Sequence, residues 1–198
     1  MSEPATSPDV VNQASARSRL FGLVSLGFFA AHAGRHLLAG RAPDVLWMCT
    51  LAALLVGLGG IARRPRVVAI GVSWLVFGAP LWLLDVCGGG ELFVTSILTH
   101  LGSLGLGLGI LFRTGYPRRS YLRAFLLSLA VLGLSRLATP AAANVNLVFR
   151  VPSGWEGTFP SHARYLALLV SASLATFLLV ELLARRMLPK AGGPNADP

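Results

Sequence analysis

Six apolar runs occupy most of this 198-residue chain, at residues 20–40, 45–61, 67–86, 91–112, 121–138 and 163–184. Each is about 17 to 22 residues long. At 1.5 Å of rise per residue, a helix of that length crosses a hydrocarbon core of roughly 30 Å. Composition points the same way: 54% of the residues are hydrophobic, 13% are charged, and the mean hydropathy is +0.67. A soluble domain of this size has no use for so much apolar surface. The expected fold is therefore all-α, a six-helix transmembrane bundle over residues 19–187. The flanking segments 1–18 and 188–198 are rich in Pro, Ser, Ala and Gly and read as disordered tails.

A net charge of +9 would suggest nucleic acid in a soluble protein. Here the cations sit at the ends of apolar runs, where the positive-inside rule places them, so no nucleic-acid partner is expected. With the N-terminus cytoplasmic, that side holds Arg17, Arg19, Arg63, Arg64, Arg66, Arg113, Arg118, Arg119, Arg123, Arg185, Arg186 and Lys190. The other side holds Arg35, Arg41, Arg136, Arg150 and Arg164. Twelve against five puts both termini of a multi-pass cell-membrane protein in the cytoplasm. A competing pattern is a basic stretch, an apolar run and Ala31-His32-Ala33, which together resemble a signal peptide cleaved after Ala33. The arginine bias across six spans favours an uncleaved first helix.

His100 stands alone in the fourth run. An ionisable group inside a spanning helix is costly and marks a functional site whose partner has to be found. Under the six-span topology His100 lies about 13 Å below the outer end of its helix, and Cys49 about 6 Å below the outer end of the second. His32 and His36 occupy the last two turns of the first helix, and Asp85 and Cys87 end the third. Asn144, Asn146 and His162 belong to a long outer connection, residues 139–162, of a length that is more often functional than idle. All four histidines and both cysteines thus gather at one end. Such a site suits a lipid or a ligand from that side better than a path through the bilayer.

Several chemistries fit these residues. Cys49 and His100 form a candidate catalytic pair, in which the histidine takes the thiol proton and the thiolate captures an acyl group. Asn144 and Asn146 are candidates for donating to an oxyanion or orienting the imidazole, with His36 nearby. No metal or other cofactor is required by that scheme. The alternative is that His32 and His36, four apart on one helix face, hold haem or a divalent metal together with His100. A third option is a ligand-binding or transport module built on the His/Asn cluster without catalysis. Cys49 and Cys87 also lie at similar depth, which permits a disulfide in an oxidising compartment. Gly105-x-x-x-Gly109 on the fourth helix is a small-residue pair that allows close helix contact, so this helix should be central.

Three segments carry a resemblance. Asp44-Val45-Leu46-Trp47-Met48-Cys49-Thr50-Leu51-Ala52 resembles the start of the second span in YwaF-like bacterial integral membrane proteins. Thr99-His100-Leu101-Gly102 resembles their histidine-bearing span, and Asn144-Val145-Asn146-Leu147 their N-x-N element before the last span. Met48 and Thr50 stand where the family usually has His or Asp, and Leu147 where it has an aromatic residue. Animal relatives of that family are membrane acyltransferases that remodel phospholipids. The resemblance thus implies Cys49 as acyl-carrying nucleophile and His100 as general base. It also implies a membrane phospholipid or acyl donor as substrate. The sequence leaves the oligomeric state open.

Overall fold

The computed structural model describes residues 8–188, and every regular element among them is helical. Six long helices follow one another: α1 (Pro8–Leu38), α2 (Met48–Ile61), α3 (Pro65–Cys87), α4 (Val94–Thr114), α5 (Ser120–Ala138) and α6 (His162–Met187). Four of them, α3 to α6, are long and apolar enough to cross a membrane. Helix α2 has 14 residues, or about 21 Å at helical rise, short of a full hydrocarbon core. Helix α1 spends its last two turns on His32, Arg35 and His36. Chain geometry explains the breaks. Pro65 opens α3 at a position where its missing N–H costs nothing, and Gly115, at φ +76°, ends α4.

One boundary differs from the sequence expectation. The N-terminal tail was expected to be disordered through residue 18, yet α1 already runs from Pro8. Ala16, Arg17 and Arg19 are good helix formers, so the helix of the first apolar run extends back into the tail. Residues 1–7 and 189–198 lie outside the described residues, and so does most of the C-terminal tail.

Close backbone approach holds α1, α2 and α3 together. A Cβ on Gly22 of α1 would lie 2.6 Å from the Ile61 nitrogen of α2, and one on Gly71 of α3 would lie 2.7 Å from the Ala52 carbonyl. Only a residue without a side chain fits such notches. Val56, Val68, Val72, Leu75 and Ala52 fill the space between these helices and are fully buried. Helix α4 joins the same core, though not through the pair the sequence singled out. Gly105 faces open space, whereas Gly102 and Gly109 receive the rings of Phe28 and Phe21 from α1. On the opposite face Gly107 meets Val72 and Val56. The expectation that α4 is central is met by glycines seven apart rather than four.

Helices α5 and α6 join this core along one side, through Ala124, Val131 and Phe177, the last edge-on to Phe77 of α3. Their most apolar windows are 22% and 17% buried, against 44% for α3 and 39% for α4. Polar anchors add to that packing. Trp74 Nε1 donates to the Ala124 carbonyl at 3.0 Å, tying α3 to α5. Ser73 pairs with the Tyr116 hydroxyl at 2.7 Å. The buried Glu181 carboxylate of α6 accepts the Arg119 and Tyr121 backbone N–H groups at 2.9 and 3.0 Å, which caps the start of α5. A carboxylate there also meets the positive end of the helix.

These notches predict unequal glycines. Gly71→Leu should destabilise the protein by about 1–3 kcal/mol through overpacking, read as a lowered Tm in detergent. Gly105→Ala should leave Tm unchanged or slightly raised, because alanine is the better helix former. Equal losses at both positions would contradict the packing described.

Candidate functional site

Polar side chains converge at the end of the bundle where α1, α3 and α5 finish and α2, α4 and α6 begin. Between α1 and α2 the chain makes a 3-10 turn, Ala42–Leu46, that carries Asp44. Asp44 Oδ2 lies 3.4 Å from His36 Nδ1 and 3.6 Å from Arg41 Nε. Arg41 in turn reaches Glu91 Oε2 at 3.3 Å. One turn deeper on α1, His36 Nε2 meets His32 Nε2 at 3.3 Å, with the rings edge-on. His32 Nδ1 then meets the Thr95 hydroxyl of α4 at 3.1 Å. Both histidines are buried, while Asp44 and Thr95 are half-buried.

The partners assign the protons in this chain. A carboxylate only accepts, so a proton on His36 Nδ1 faces Asp44. His36 Nε2 then accepts from His32 Nε2–H, and His32 Nδ1 accepts from the Thr95 hydroxyl. With one proton on each ring, this arrangement supplies the His36–His32 and His32–Thr95 links with a donor and an acceptor, while Asp44 faces His36 Nδ1 at 3.4 Å as an ion-pair contact without hydrogen-bond geometry. The reverse arrangement would set an imidazole lone pair against the Asp44 carboxylate.

His100 sits beyond this chain in a π-helical stretch, Leu98–Gly102, of α4. Such single-turn insertions recur at functional sites. Its Nδ1 donates to the Ser96 carbonyl at 2.8 Å, and its ring stacks on Trp82 of α3 at 4.5 Å with an interplanar angle of 11°. Among the described residues its Nε2 has no hydrogen-bond partner. Trp82 Nε1 and the hydroxyl of the neighbouring Thr99 are buried and unpartnered, as are His36 Nδ1 and Arg41 Nε at the Asp44 end of the histidine series. An unsatisfied buried polar atom costs about 1–3 kcal/mol, so the described part of the bundle concentrates this cost at its polar end.

Cys49 lies in the first turn of α2, half-buried, with its sulfur seated in the space a side chain on Gly78 of α3 would fill. Cys49 and His100 share this end of the bundle but make no hydrogen bond to each other. Cys49 and Cys87 are both free thiols. Gly78 and Cys87 are nine residues apart on α3, about 13 Å of helix, which separates the two sulfurs.

The asparagines are fully engaged. Asn146 Oδ1 accepts the Met48 N–H at 2.8 Å, and its Nδ2 donates to the Leu46 carbonyl and to Ser135 Oγ, both at 2.9 Å. Asn144 Oδ1 accepts the Phe149 and Arg150 N–H groups at 3.0 Å, and its Nδ2 donates to the Arg150 carbonyl. Both residues have positive φ, 45° and 52°, a region asparagine enters more readily than most residues. Asn-x-Asn is thus a device for folding the connection between α5 and α6. His162 Nε2 closes it from the other side on the Leu147 carbonyl at 3.0 Å.

As a metal site the three histidines do not converge. Among the described residues no three of His, Cys, Asp and Glu are placed to hold a metal ion. His32 and His36 point ring nitrogens at each other, and His100 commits Nδ1 to its own helix. No family model, curated protein or solved structure matches this chain. Its chemistry has to be read from its own geometry.

Asp44, Thr95 and Trp82 are the site residues that sequence reasoning passed over. Asp44 could have been flagged by its spacing, since a short turn returns it toward the i,i+4 pair His32/His36. Thr95 and Trp82 carry no sequence signal, because they join the site only through the packing of α3 and α4.

Asn146→Ala should lower stability by about 1–3 kcal/mol, since it leaves the Met48 N–H and Leu46 carbonyl unpaired. Limited proteolysis should then cut faster within residues 139–150, the part of the connection that the asparagines hold. An unchanged digestion pattern would remove the clamp role.

Proposed function

We propose that this chain is a six-span membrane protein with both termini cytoplasmic, and that its polar end is a binding module whose ligand exchanges a proton with the protein. The observation that carries the proposal is the hydrogen-bonded series His36–His32–Thr95, with Asp44 at ion-pair distance from His36 at its outer end. A proton released by a ligand at Thr95 enters His32 Nδ1, His32 passes its Nε2 proton to His36, and His36 passes its Nδ1 proton toward Asp44 at the bundle's end. Run backward, the series delivers a proton to the ligand. Recognition falls to the unspent groups beside it: the Trp82 N–H as donor, His100 Nε2 as acceptor and the Thr99 hydroxyl as either. That set suits a small polar molecule or lipid headgroup bearing both donor and acceptor atoms.

The six-span reading adds α1 and α2 to the four helices that meet the length and apolarity requirement. Helix α2 packs between α1 and α3, so its shortness is accommodated inside the protein rather than against lipid. The arginine bias supports the orientation.

Histidine-selective nitrogen NMR on protein in nanodiscs tests the series. Asp44→Asn should shift the ring nitrogens of both His36 and His32 while leaving His162 unmoved. A response confined to His36 would show that protons do not pass between the rings.

A second function rests on a different observation. Cys49 occupies the first turn of α2 at the same end of the bundle as His100, and His100 Nε2, without a hydrogen-bond partner among the described residues, is available as a base. Phospholipid acyl transfer through this pair, as the YwaF-like resemblance implies, needs the two side chains to approach during turnover. An activated acyl probe should then label Cys49, and His100→Ala should reduce labelling by about 10²-fold or more. Equal labelling of the variant would remove the pair from consideration.

A further inference from the structure

Away from the histidines, a cavity of about 390 Å³ opens between α5 and α6. Leu132, Gly133 and Leu166 line its apolar part, and Arg136 and His162 stand at its mouth. The two helices that form it are the least buried of the four candidate spans, and Leu129, Leu134, Leu137 and Leu168 around it are exposed. In a bilayer this face meets lipid.

Arg136 is the unusual element. It is exposed in the last turn of α5, its guanidinium held 4.4 Å over the Phe149 ring. Among the described residues no carboxylate pairs with it. The acids at this end stand elsewhere: Asp44 and Glu91 pair with Arg41, Asp85 lies against Gly90 at the end of α3, and Glu156 is in the exposed connection. A guanidinium at the end of a span reaches headgroup depth, and its planar fork matches a phosphate bidentately. His162, fixed by its bond to the Leu147 carbonyl, narrows the mouth beside it.

We infer that the α5–α6 groove holds one anionic phospholipid of the adjoining leaflet, its phosphate on Arg136 and an acyl chain along Leu132, Gly133 and Leu166. The site depends on α5 and α6 standing in a bilayer and not on the proton series, so either proposal can fail alone. Charge complementarity sets the preference: the mouth offers the Arg136 cation and the groove beneath it is apolar, which fits a lipid better than a soluble anion. Gly133 matters because nothing lies within 4 Å of the position a Cβ would take, leaving room for the chain.

The test is native mass spectrometry of the full chain released from nanodiscs of phosphatidylcholine with a minority of phosphatidylglycerol. The wild type should retain one phosphatidylglycerol. Arg136→Gln should reduce that retention roughly fivefold, the effect of one arginine at an anionic surface. Gly133→Leu should reduce it as well, by filling the groove with the arginine intact. Arg150→Gln, outside the groove, should leave it unchanged, and excess inorganic phosphate should not strip the lipid. Full retention in Arg136→Gln or Gly133→Leu, equal loss in Arg150→Gln, or release by phosphate would each overturn the assignment.

Discussion

One side-chain amide holds the polar end of this bundle together. Asn146 satisfies the backbone at both edges of the turn before α2 and reaches Ser135 on α5 in the same step. That turn carries Asp44, and the helix it begins carries Cys49. Without the amide, the Met48 N–H and Leu46 carbonyl would need water at the membrane edge. The backbone accepts positive φ at three non-glycine residues in a row of four, Asn144, Asn146 and Leu147, to make this contact. Such strain persists only where the surroundings over-determine it, and here six hydrogen bonds to the two asparagines do so.

The rest of the architecture divides by what each helix faces. Helices α1 to α4 meet through glycine notches, an arrangement that works where apolar side chains gain nothing over lipid and contact depends on close approach. Helices α5 and α6 add directed polar bonds, Trp74 to Ala124 and Glu181 to the start of α5, to a narrower apolar contact that includes Phe177 on Phe77. Those bonds fix position while leaving long apolar faces open. The first four helices therefore support the histidines, and the last two keep most of their apolar surface exposed.

Sequence periodicity located all six helices, because long apolar runs punctuated by Pro, Gly and Arg leave little choice. It placed the histidines and cysteines at one end for the same reason, since depth follows from counting residues along a helix. It erred where side-chain direction decides. Gly105 and Gly109 look like a contact pair, yet Gly105 faces open space and Gly102 takes its place. Asn144 and Asn146 look like donors awaiting a substrate, yet their amides are spent on the backbone. Cys49 and His100 look like a pair that helix tilt could close over a depth difference of about 7 Å, but each side chain has its own notch, on Gly78 and on Trp82. Rotation about a helix axis, unlike depth along it, depends on contacts between helices that are distant in sequence.

That distinction bears on how the two ends of the polar region communicate. The histidine series lies between α1 and α4, and the lipid-facing groove lies between α5 and α6. They share no side chain. They do share the connection between α5 and α6, since Asn146 grips the turn of Asp44 while Phe149 and Leu147, a few residues on, position Arg136 and His162. Arg136 thus rests on a segment held in positive-φ conformations by the two asparagines. The same Asn146 that holds it also fixes the turn carrying Asp44, whose Oδ2 stands 3.4 Å from His36 Nδ1. One amide therefore sets the geometry at both places, and neither can be understood without the fold of that connection.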